Sequence, residues 1–283
     1  MNYAFYPGCS LHSTGLEYGL STRAVFNHLG SELDELPDWN CCGASSAHSL
    51  NHTLALALPA RNLAIAQRTG QDLVISCAAC YNRMKSTEHT FSLDPEIRAE
   101  IEEIIGFQFS DETTIRPALG VLFEDYGLET IAKAVRIPLQ GLKLVPYYGC
   151  LLVRPPEVAQ FDDPDHPHIM SDLLQSAGAQ VLEWSYATDC CGGSLSLSRS
   201  DVVQGLVGRL VEHAQEAGAQ ALVTACPLCQ VNLEMRQLGE PKMPVFYFTE
   251  LLGLAFGLPE AGRWWRKHLI DPRPLLQSAG LSN

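Results

Sequence analysis

The chain has 283 residues, of which 46% are hydrophobic and 18% are charged. This composition excludes intrinsic disorder, collagen and a coiled coil, and the length suffices for one large α/β domain or two smaller ones. Nineteen lysine and arginine residues stand against 32 aspartate and glutamate residues, which gives a net charge of −13 at pH 7. Such a charge repels phosphate backbones and anionic membranes, so we expect no nucleic-acid partner.

No transmembrane segment and no export signal are predicted. The best candidate for a membrane helix, residues 245–258, is shorter than the roughly 20 apolar residues required and contains Glu250. The residues ahead of Cys9 include neither a basic n-region nor a long apolar h-region. We therefore expect a cytoplasmic protein, in which the ten cysteines serve as metal ligands or redox groups rather than structural disulfides.

The ten cysteines form a five-cysteine pattern that occurs twice. In each copy a first cysteine is followed by Cys-Cys-Gly and then by Cys-x-x-Cys, with 34 residues between the cysteine pair and the Cys-x-x-Cys motif. A tyrosine precedes the first cysteine, in Tyr6-Pro7-Gly8-Cys9 and in Tyr148-Gly149-Cys150. The second copy has eight extra residues before its cysteine pair, which we place in the Pro- and Asp-rich residues 154–168. The repeat predicts two copies of one structural unit.

Strands and helices are predicted to alternate along the chain. Short apolar runs predict strands and longer periodic runs predict helices, with Gly30, Gly70 and Gly218 ending the helices. In chain order these are a strand at 3–6, helices at 18–29 and 54–69, strands at 73–75 and 142–145, a helix at 202–217 and a strand at 222–224. Each predicted strand runs toward a cysteine motif.

This alternation predicts an α/β fold with two similar halves, residues 1–140 and 141–283, related by a pseudo-twofold axis. Each half is expected to contain a small, mostly parallel sheet flanked by helices. Ligands of such sheets gather at the carboxyl ends of the strands, and Cys9, Cys77, Cys150 and Cys226 follow those ends. The sequence therefore predicts a thiol-lined site in each half.

The cysteine spacing alone leaves several kinds of site open. A strand followed by Cys77-x-x-Cys80 is how a thioredoxin-like dithiol is built, and the same motif can supply two ligands of a tetrahedral zinc ion. Cysteines can also be buried simply as small apolar residues. A structural zinc ion or a cubane [4Fe–4S] cluster takes four ligands, whereas each half has five cysteines. Because the fifth thiol is repeated, we favour iron–sulfur chemistry over two zinc sites.

The full pattern resembles the duplicated cysteine-rich CCG domains of the B-type subunit of heterodisulfide reductase. It reads C-x31-C-C-G-x33-C-x-x-C and then C-x39-C-C-G-x33-C-x-x-C, with all ten cysteines present. The resemblance implies that each half binds one noncubane [4Fe–4S] cluster, and that the two clusters face each other across the pseudo-twofold interface. The implied ligands are a first set, Cys9, Cys41, Cys42, Cys77 and Cys80, and a second set, Cys150, Cys190, Cys191, Cys226 and Cys229.

The resemblance also implies a reaction and partners. An organic disulfide would insert between the clusters and be reduced to two thiols, or two thiols would be oxidised in the reverse direction. The disulfide of coenzyme M and coenzyme B, a protein-bound lipoyl disulfide and another small disulfide all fit. Because the sequence has no flavin or nucleotide fingerprint, we expect electrons to come from another polypeptide. The resemblance implies that the partners are a small iron–sulfur subunit and a flavoprotein subunit of one complex.

Other functions remain open. CCG domains are similar to electron-relay subunits of certain succinate dehydrogenases, which pass electrons toward quinone, and to iron–sulfur subunits of lactate- and glycolate-oxidising complexes. The non-enzyme alternative is a zinc-stabilised scaffold, which would be colourless. Residues 246–254 and 264–267, which include Trp264 and Trp265, are interpreted either as a helix packed on the second half or as a docking segment for a partner or a membrane.

Several residues near the cysteines are candidates for contact with substrate or cluster. Cations are candidate ligands of an acidic thiol and histidines are candidate proton relays, whereas the alternatives are surface ion pairs and solvated side chains. His166-Pro167-His168 is interpreted as a solvated loop. Glycines beside cysteines are predicted to let backbone N–H groups approach the clusters. The cations are Arg83, Lys85, Arg154 and Arg199, the histidines are His12 and His48, and the glycines are Gly8, Gly43, Gly149 and Gly192.

Overall fold

Two four-stranded parallel sheets form the centres of the two halves. The computed structural model describes residues 1–44, 47–110 and 113–281. Within them the strands are β1 (Asn2–Tyr6), β2 (Glu32–Glu35), β3 (Leu73–Ile75), β4 (Ile115–Pro117), β5 (Lys143–Tyr147), β6 (Gln180–Val181), β7 (Ala221–Thr224) and β8 (Val245–Tyr247). The strand order is β2-β1-β3-β4 in the first sheet and β6-β5-β7-β8 in the second, so both sheets have the same topology.

Helices flank both sheets. Those of the first half are α1 (Gly8–Leu11), α2 (Leu16–His28), α3 (Ala47–Leu50), α4 (His52–Gln67), α5 (Ala78–Leu93), α6 (Pro95–Ile105), α7 (Ala118–Val121), a π-helical turn (Leu122–Tyr126) and α8 (Gly127–Ala134). Those of the second half are α9 (Cys150–Val153), α10 (Pro156–Ala159), α11 (Ile169–Ser176), α12 (Ser200–Glu216), α13 (Pro227–Met235), α14 (Phe248–Ala255), α15 (Ala261–Trp264) and α16 (Arg273–Ser278), with 3₁₀ turns at Gly193–Leu195 and Trp265–Lys267.

The local sequence explains these elements. The inner strands β3 and β7, one in each sheet, are short and mostly apolar and are buried along their whole length, as expected for parallel sheets covered on both faces. Gly30, Gly70 and Gly218 have φ angles of 84°, 66° and 82°, which is the left-handed conformation that ends a helix. The predicted strands and helices are therefore confirmed, with bounds that differ by one or two residues.

The two halves pack on each other reciprocally. Helix α1 of the first half contacts α13 of the second, and the equivalent helix α9 of the second half contacts α5 of the first. Such an exchange of equivalent partners is the contact pattern of a twofold relation. The predicted fold class, α/β with two similar halves about a pseudo-twofold axis, is confirmed, whereas the exact boundary at residue 140 stays a prediction.

A second contact between the halves joins α2 to the start of α14. The rings of Tyr18 and Tyr247 are stacked with centroids 4.2 Å apart, and the hydroxyls of Ser21 and Thr249 are hydrogen-bonded at 2.7 Å. All four side chains are buried. Apolar side chains from both sheets and their helices form one continuous core, so the halves share a single interior.

The C-terminal segment is part of this interior. Residues 245–255 form β8 and the fully buried helix α14, and the side chains of Trp264 and Trp265 are only 2% and 5% exposed. The interpretation of these tryptophans as a docking surface is therefore wrong, because their rings already pack inside the chain. Among the described residues, no helix combines the length and the apolar character that crossing a membrane requires.

The extra residues of the second half form α10 and the loop that follows it, in which Val158, Ala159 and Phe161 are buried and His166 and His168 are exposed. The carboxylate of Asp162 accepts hydrogen bonds from the backbone N–H groups of His168 and Ile169, at 3.0 and 2.9 Å. Asp163 accepts one from the N–H of His166 at 2.7 Å. The side chain of His168 is 59% exposed and pairs with Asp172. The interpretation of His166-Pro167-His168 as a solvated loop is confirmed.

The packing of α14 on Trp264 predicts opposite effects for two helical glycines. A Cβ atom at Gly253 would lie 2.6 Å from the Trp264 ring, whereas a Cβ atom at Gly205 in α12 would meet no atom within 4 Å. We expect Gly253→Ala to lower the free energy of unfolding by about 1–3 kcal/mol through overpacking. Gly205→Ala should raise it by about 0.5–1 kcal/mol. Urea unfolding of both variants tests this, and equal effects would contradict the described packing.

Candidate functional site

Four strand ends place the cysteines at the edges where the two sheets face each other. Strands β1 and β5 lead into Cys9 and Cys150 in the short helices α1 and α9. Strands β3 and β7 lead into Cys77 and Cys226, which are the N-cap residues of α5 and α13. The second cysteine of each Cys-x-x-Cys motif lies in the first turn of those helices. Hydrogen bonds with Cys42 and Cys191, together with burial, raise the pKa of Cys80 and of Cys229 well above the ordinary value.

The thiols of each set form close pairs. Equivalent pairs occur in both halves, and the sulfur atoms of Cys150 and Cys190 interact as those of Cys9 and Cys41 do. The sulfur–sulfur distances are 3.9 Å for Cys9 and Cys41, 3.2 Å for Cys42 and Cys80, and 3.5 Å for Cys191 and Cys229. The structure thus gathers each predicted ligand set from three separate parts of its half.

The two sets meet at the interface between the halves. Cys77 and Cys226, its equivalent in the other half, interact electrostatically across the interface. Both are buried, whereas Cys9, Cys41 and Cys190 lie at the exposed ends of the sets. Each set therefore has an exposed end at the surface and a buried end toward the interface between the halves.

Equivalent thiols in the two sets are poised as thiolates. Hydrogen bonds from Cys42 and then Cys9 lower the pKa of Cys41 to about 2. A hydrogen bond from Cys150 lowers the pKa of Cys190 to about 6. Thiolates are the form of cysteine that binds metals, so both sets contain a ligand that is ready to bind.

The glycine of each Cys-Cys-Gly triplet donates toward a cysteine. The backbone N–H of Gly43 points at the sulfur of Cys41 at 3.4 Å, and that of Gly192 points at the sulfur of Cys190 at 3.3 Å. Both glycines have positive φ angles, 75° and 77°. The prediction that backbone N–H groups approach the sulfur atoms at these positions agrees with this geometry.

The glycine before each first cysteine leaves room for the Cys-x-x-Cys motif. A Cβ atom at Gly8 would lie 3.1 Å from the sulfur of Cys80, and one at Gly149 would lie 3.1 Å from the sulfur of Cys229. Their φ angles are 69° and 67°. Any larger residue would therefore be strained and would also push against a thiol.

A pair of buried tyrosines supports the sets and was not predicted from the sequence. The hydroxyl of Tyr6 donates to the carbonyl of Asn40 at 2.8 Å, and that of Tyr147 donates to the carbonyl of Asp189 at 2.6 Å. Each bond ties the end of a strand to the residue before a cysteine pair. In the sequence, each of these tyrosines stands two residues before the glycine that precedes the first cysteine of its set. The equivalent of Tyr6 is therefore Tyr147 and not the adjacent Tyr148.

A cavity of about 150 Å³ lies beside the second set. All five cysteines of that set line it, and its opposite wall comes from the first half. The wall residues from the first half are Ala44, His48, Ala78, Ala79 and Arg83. A larger cavity of about 190 Å³, between Phe91 and Phe109, is lined by no cysteine and lies apart from the thiols.

The residues present fit an iron–sulfur group. The donors are all thiols, the ligand type that selects iron–sulfur clusters, zinc and copper(I). Among the described residues, no three His, Cys, Asp or Glu side chains are already placed around a single point as the ligands of one metal ion. The buried hydroxyls of Ser76 and Thr224, beside Cys77 and Cys226, have no partner in the described part of the chain and are free to donate to a bound group.

The four cations predicted to contact substrate have different surroundings in the structure. Arg83 is half-buried, lines the cavity and donates to Asn82 at 2.9 Å. Burial lowers its pKa, and the thiolate of Cys42 opposes that shift. The other three cations do not line the cavity and are ion-paired instead, which does not support their predicted contact with substrate. These pairs are Lys85 with Glu88, Arg154 with Asp165 at 2.6 Å and Arg199 with Asp201 at 2.9 Å.

The two histidines also differ. His48 lines the cavity from the first half and reaches the exposed surface at α3. His12 lies three residues after Cys9, pairs with Glu35 at 3.0 Å and packs beside the ring of Trp39. Of the two predicted proton relays, only His48 is therefore placed beside the cavity.

Comparisons with known proteins agree with the repeated pattern. A model of the CCG cysteine-rich domain matches the chain twice, at residues 3–85 and 145–234. An 8-methylmenaquinol:fumarate reductase membrane anchor subunit of Wolinella succinogenes is 28% identical over 96% of this chain and 98% of its own length. A heterodisulfide reductase B-like protein of Archaeoglobus profundus is 28% identical over 91% of each chain. The predicted resemblance is confirmed.

A solved structure confirms the fold alone. The crystal structure of a hypothetical protein from Helicobacter pylori matches with a TM-score of 0.75 and 13% identity, covering 95% of this chain and 52% of that one. Together with the named relatives, the repeated domain supports an iron–sulfur redox subunit.

The close approach of Gly8 to Cys80 predicts a specific loss of bound metal. Gly8→Ala strains a residue with positive φ and pushes against the sulfur, so we expect iron bound by the first set to be lost, which lowers total iron by about half. Gly70→Ala is the matched control, because Gly70 has a similar φ of 66° and no atom within 4 Å of the added Cβ. Iron analysis of anaerobically purified protein tests this, and equal iron in both variants would contradict it.

Proposed function

Because the chain belongs to the CCG cysteine-rich domain family, we propose that it is the iron–sulfur catalytic subunit of a heterodisulfide-reductase-like complex. It would reduce an organic disulfide to two thiols, or catalyse the reverse. Each five-cysteine set would hold one noncubane [4Fe–4S] cluster, one in residues 1–140 and the other in residues 141–283. The clusters would supply redox centres that each accept one electron at a time.

The observation that carries this proposal is that Ala78 and Ala79, which follow Cys77 in the first half, line one cavity with all five cysteines of the second set. Reduction of a disulfide consumes two electrons and two protons and yields two thiols. Two one-electron centres must therefore act on one substrate, and they can do so only if they lie close together. The reciprocal packing of the halves supports that arrangement, because it brings both thiol sets to one interface.

The chain's own residues have distinct proposed roles. The N–H groups of Gly43 and Gly192 donate to cysteine sulfur and so stabilise the extra negative charge of a reduced site. Ala78 and Ala79 have short apolar side chains, so the wall that they form is apolar and does not fill the cavity. We propose that Arg83 binds an acidic group of the substrate, since in the described part of the chain it has no carboxylate partner.

His48 is the proposed proton donor. It lines the cavity and is exposed at α3, so it connects the interior to solvent. An imidazole can pass protons near neutral pH, and two protons are needed for each disulfide reduced.

The proposed complex also contains a small iron–sulfur subunit and a flavoprotein subunit that deliver electrons in the cytoplasm, and its substrates include a protein-bound lipoyl disulfide.

A relay role toward quinone is the second candidate. The Wolinella relative is named as a subunit of an 8-methylmenaquinol:fumarate reductase, and its match covers nearly the whole of both chains. Leu195 and Leu197, which follow Cys191, are 36% and 100% exposed, and they offer an apolar surface beside the second set. A relay subunit passes electrons without binding a disulfide, which separates the two functions experimentally.

The metal content tests the proposed cofactors. Anaerobically purified protein should be brown and contain about eight irons with a similar amount of sulfide, because both sets are complete. Cys191→Ser should lower iron by about half and remove one of two EPR signals, since the ligands of the second set all lie between residues 150 and 229. One or two zinc ions without sulfide would refute the proposal.

Disulfide reduction tests the paired mechanism. With an artificial one-electron donor the chain should reduce an organic disulfide, but it should not do so with a nicotinamide cofactor. Cys42→Ala and Cys191→Ala should each lower kcat for this reaction at least 100-fold, a loss of about 2.7 kcal/mol, because the remaining set accepts only one electron at a time.

The relay role gives a different result in the same assay. If each variant kept about half of the activity, the two sets would be acting independently and the paired mechanism would be rejected. Normal iron content without any disulfide reduction, combined with electron transfer to a quinone analogue, would favour the relay.

A further inference from the structure

A buried asparagine lies against the second cysteine set and has no role in the function described so far. Asn232 is in α13, three residues after Cys229. Its side-chain nitrogen lies 3.8 Å from the sulfur of Cys191 and 3.3 Å from the carbonyl oxygen of the same residue. Asn232 and Cys191 are each only 3% exposed. The amide therefore contacts this sulfur in a place from which water is largely excluded.

The neighbours of the amide fix its orientation. The carbonyl oxygen of Cys191 can only accept a hydrogen bond, so it is the nitrogen of Asn232 that faces it. The amide oxygen points the other way, toward the hydroxyl of Ser196 at 2.7 Å. That hydroxyl can donate, and it shares its proton between the amide oxygen and the carbonyl of Gly193 at 2.8 Å. An N–H donor, and not an oxygen atom, is therefore directed at the sulfur of Cys191.

The residue that orients the amide is itself held in place. The backbone carbonyl of Ser196 accepts a hydrogen bond from the guanidinium of Arg236 at 2.9 Å. Arg236 directly follows α13, the helix that carries Asn232, and the 3₁₀ turn before Ser196 packs on that helix. The donor is thus fixed both through its own helix and through the turn that follows the cysteine pair.

This network belongs to the second half and not to the repeated fold. The residue of the first half that is equivalent to Asn232 is Arg83, which donates to Asn82 at 2.9 Å. The equivalent of Ser196 is Ala47, which has no hydroxyl group, and that of Arg236 is Thr87. The backbone repeat therefore does not reproduce the amide or the groups that orient it.

We propose that Asn232, oriented by Ser196, raises the reduction potential of the group that the second set binds. Reduction adds negative charge, part of which lies on the cysteine sulfur, and a fixed N–H donor at that sulfur stabilises the reduced form. This inference rests on the proposed function only in requiring an iron–sulfur group at the second set. It makes Asn232 a positioning residue that acts through Cys191 and does not touch substrate.

The test is a potentiometric titration of the full chain, purified anaerobically and followed by EPR without substrate. The signal that is absent from Cys191→Ser identifies the second set. Asn232→Leu replaces the amide by an apolar side chain of similar size that cannot donate. It should shift the one-electron equilibrium of the second signal about tenfold toward the oxidised form, 59 mV, and leave the first signal in place.

Two further variants separate the bond to sulfur from a general loss of packing. Asn82→Leu is the matched control, because Asn82 is 1% exposed on the equivalent helix α5 and donates to the carbonyls of Leu151 and Arg154 at 3.1 and 3.0 Å. It should leave the second signal within about twofold of its original equilibrium. Ser196→Ala keeps Asn232 but removes the hydroxyl that orients it, and should shift the second signal about threefold in the same direction as Asn232→Leu.

The outcomes are distinguishable. Unaltered protein without iron, or without a second signal, would refute the proposed function and this inference together. Two normal signals, with the second unmoved in Asn232→Leu, would overturn the inference alone. So would equal shifts of both signals in that variant, or a shift of the same size in Asn82→Leu. Should Asn232→Leu fail to retain iron at the second set, Ser196→Ala decides the matter, and an unmoved second signal there would reject the inference.

Discussion

The packing between helices that follow the carboxyl ends of the strands in the two sheets is the constraint on which the site depends. All strands of a parallel sheet end at one edge, and here each edge carries the cysteines that follow β1 and β3 or β5 and β7. The reciprocal packing of α1 on α13 and of α9 on α5 presses these edges together. Without it, each half would have a thiol cluster at its surface, and Cys77 would have no counterpart in Cys226.

Much of this arrangement was predictable from the sequence, because it depends on local patterns. The duplicated cysteine spacing and the apolar runs before each motif indicated the strands, the halves and the grouping of the thiols. Side-chain partners were not predictable, since they depend on which residues the tertiary fold brings near. Arg154 pairs with Asp165, whereas Arg83 finds no carboxylate in the described chain, and nothing in their sequence neighbourhoods separates them. The burial of Trp264 likewise follows from its contact with Gly253.

Departures from the repeat distinguish the two sides of the interface. The wall facing the second set includes Ala78 and Ala79, and a cavity lies there. The equivalent residues in the second half are the larger Pro227 and Leu228. Pro227 packs so closely on the turn before α2 that a Cβ atom at Gly15 would lie 2.9 Å from it. The two halves thus repeat the same backbone, but the space at the interface differs between them because a few equivalent side chains differ in volume.

The shared interior has a consequence for how the protein is made. Because one continuous core joins both sheets, neither half can bury its apolar face alone, and the chain should unfold as one cooperative unit. Tyr18 contributes to that core from the first half, and its stacking partner Tyr247 lies 229 residues later in the sequence. The second half must therefore be synthesised before the first can reach its final packing. Assembly of the two proposed clusters would accordingly take place after translation, on a folded chain, rather than during its emergence from the ribosome.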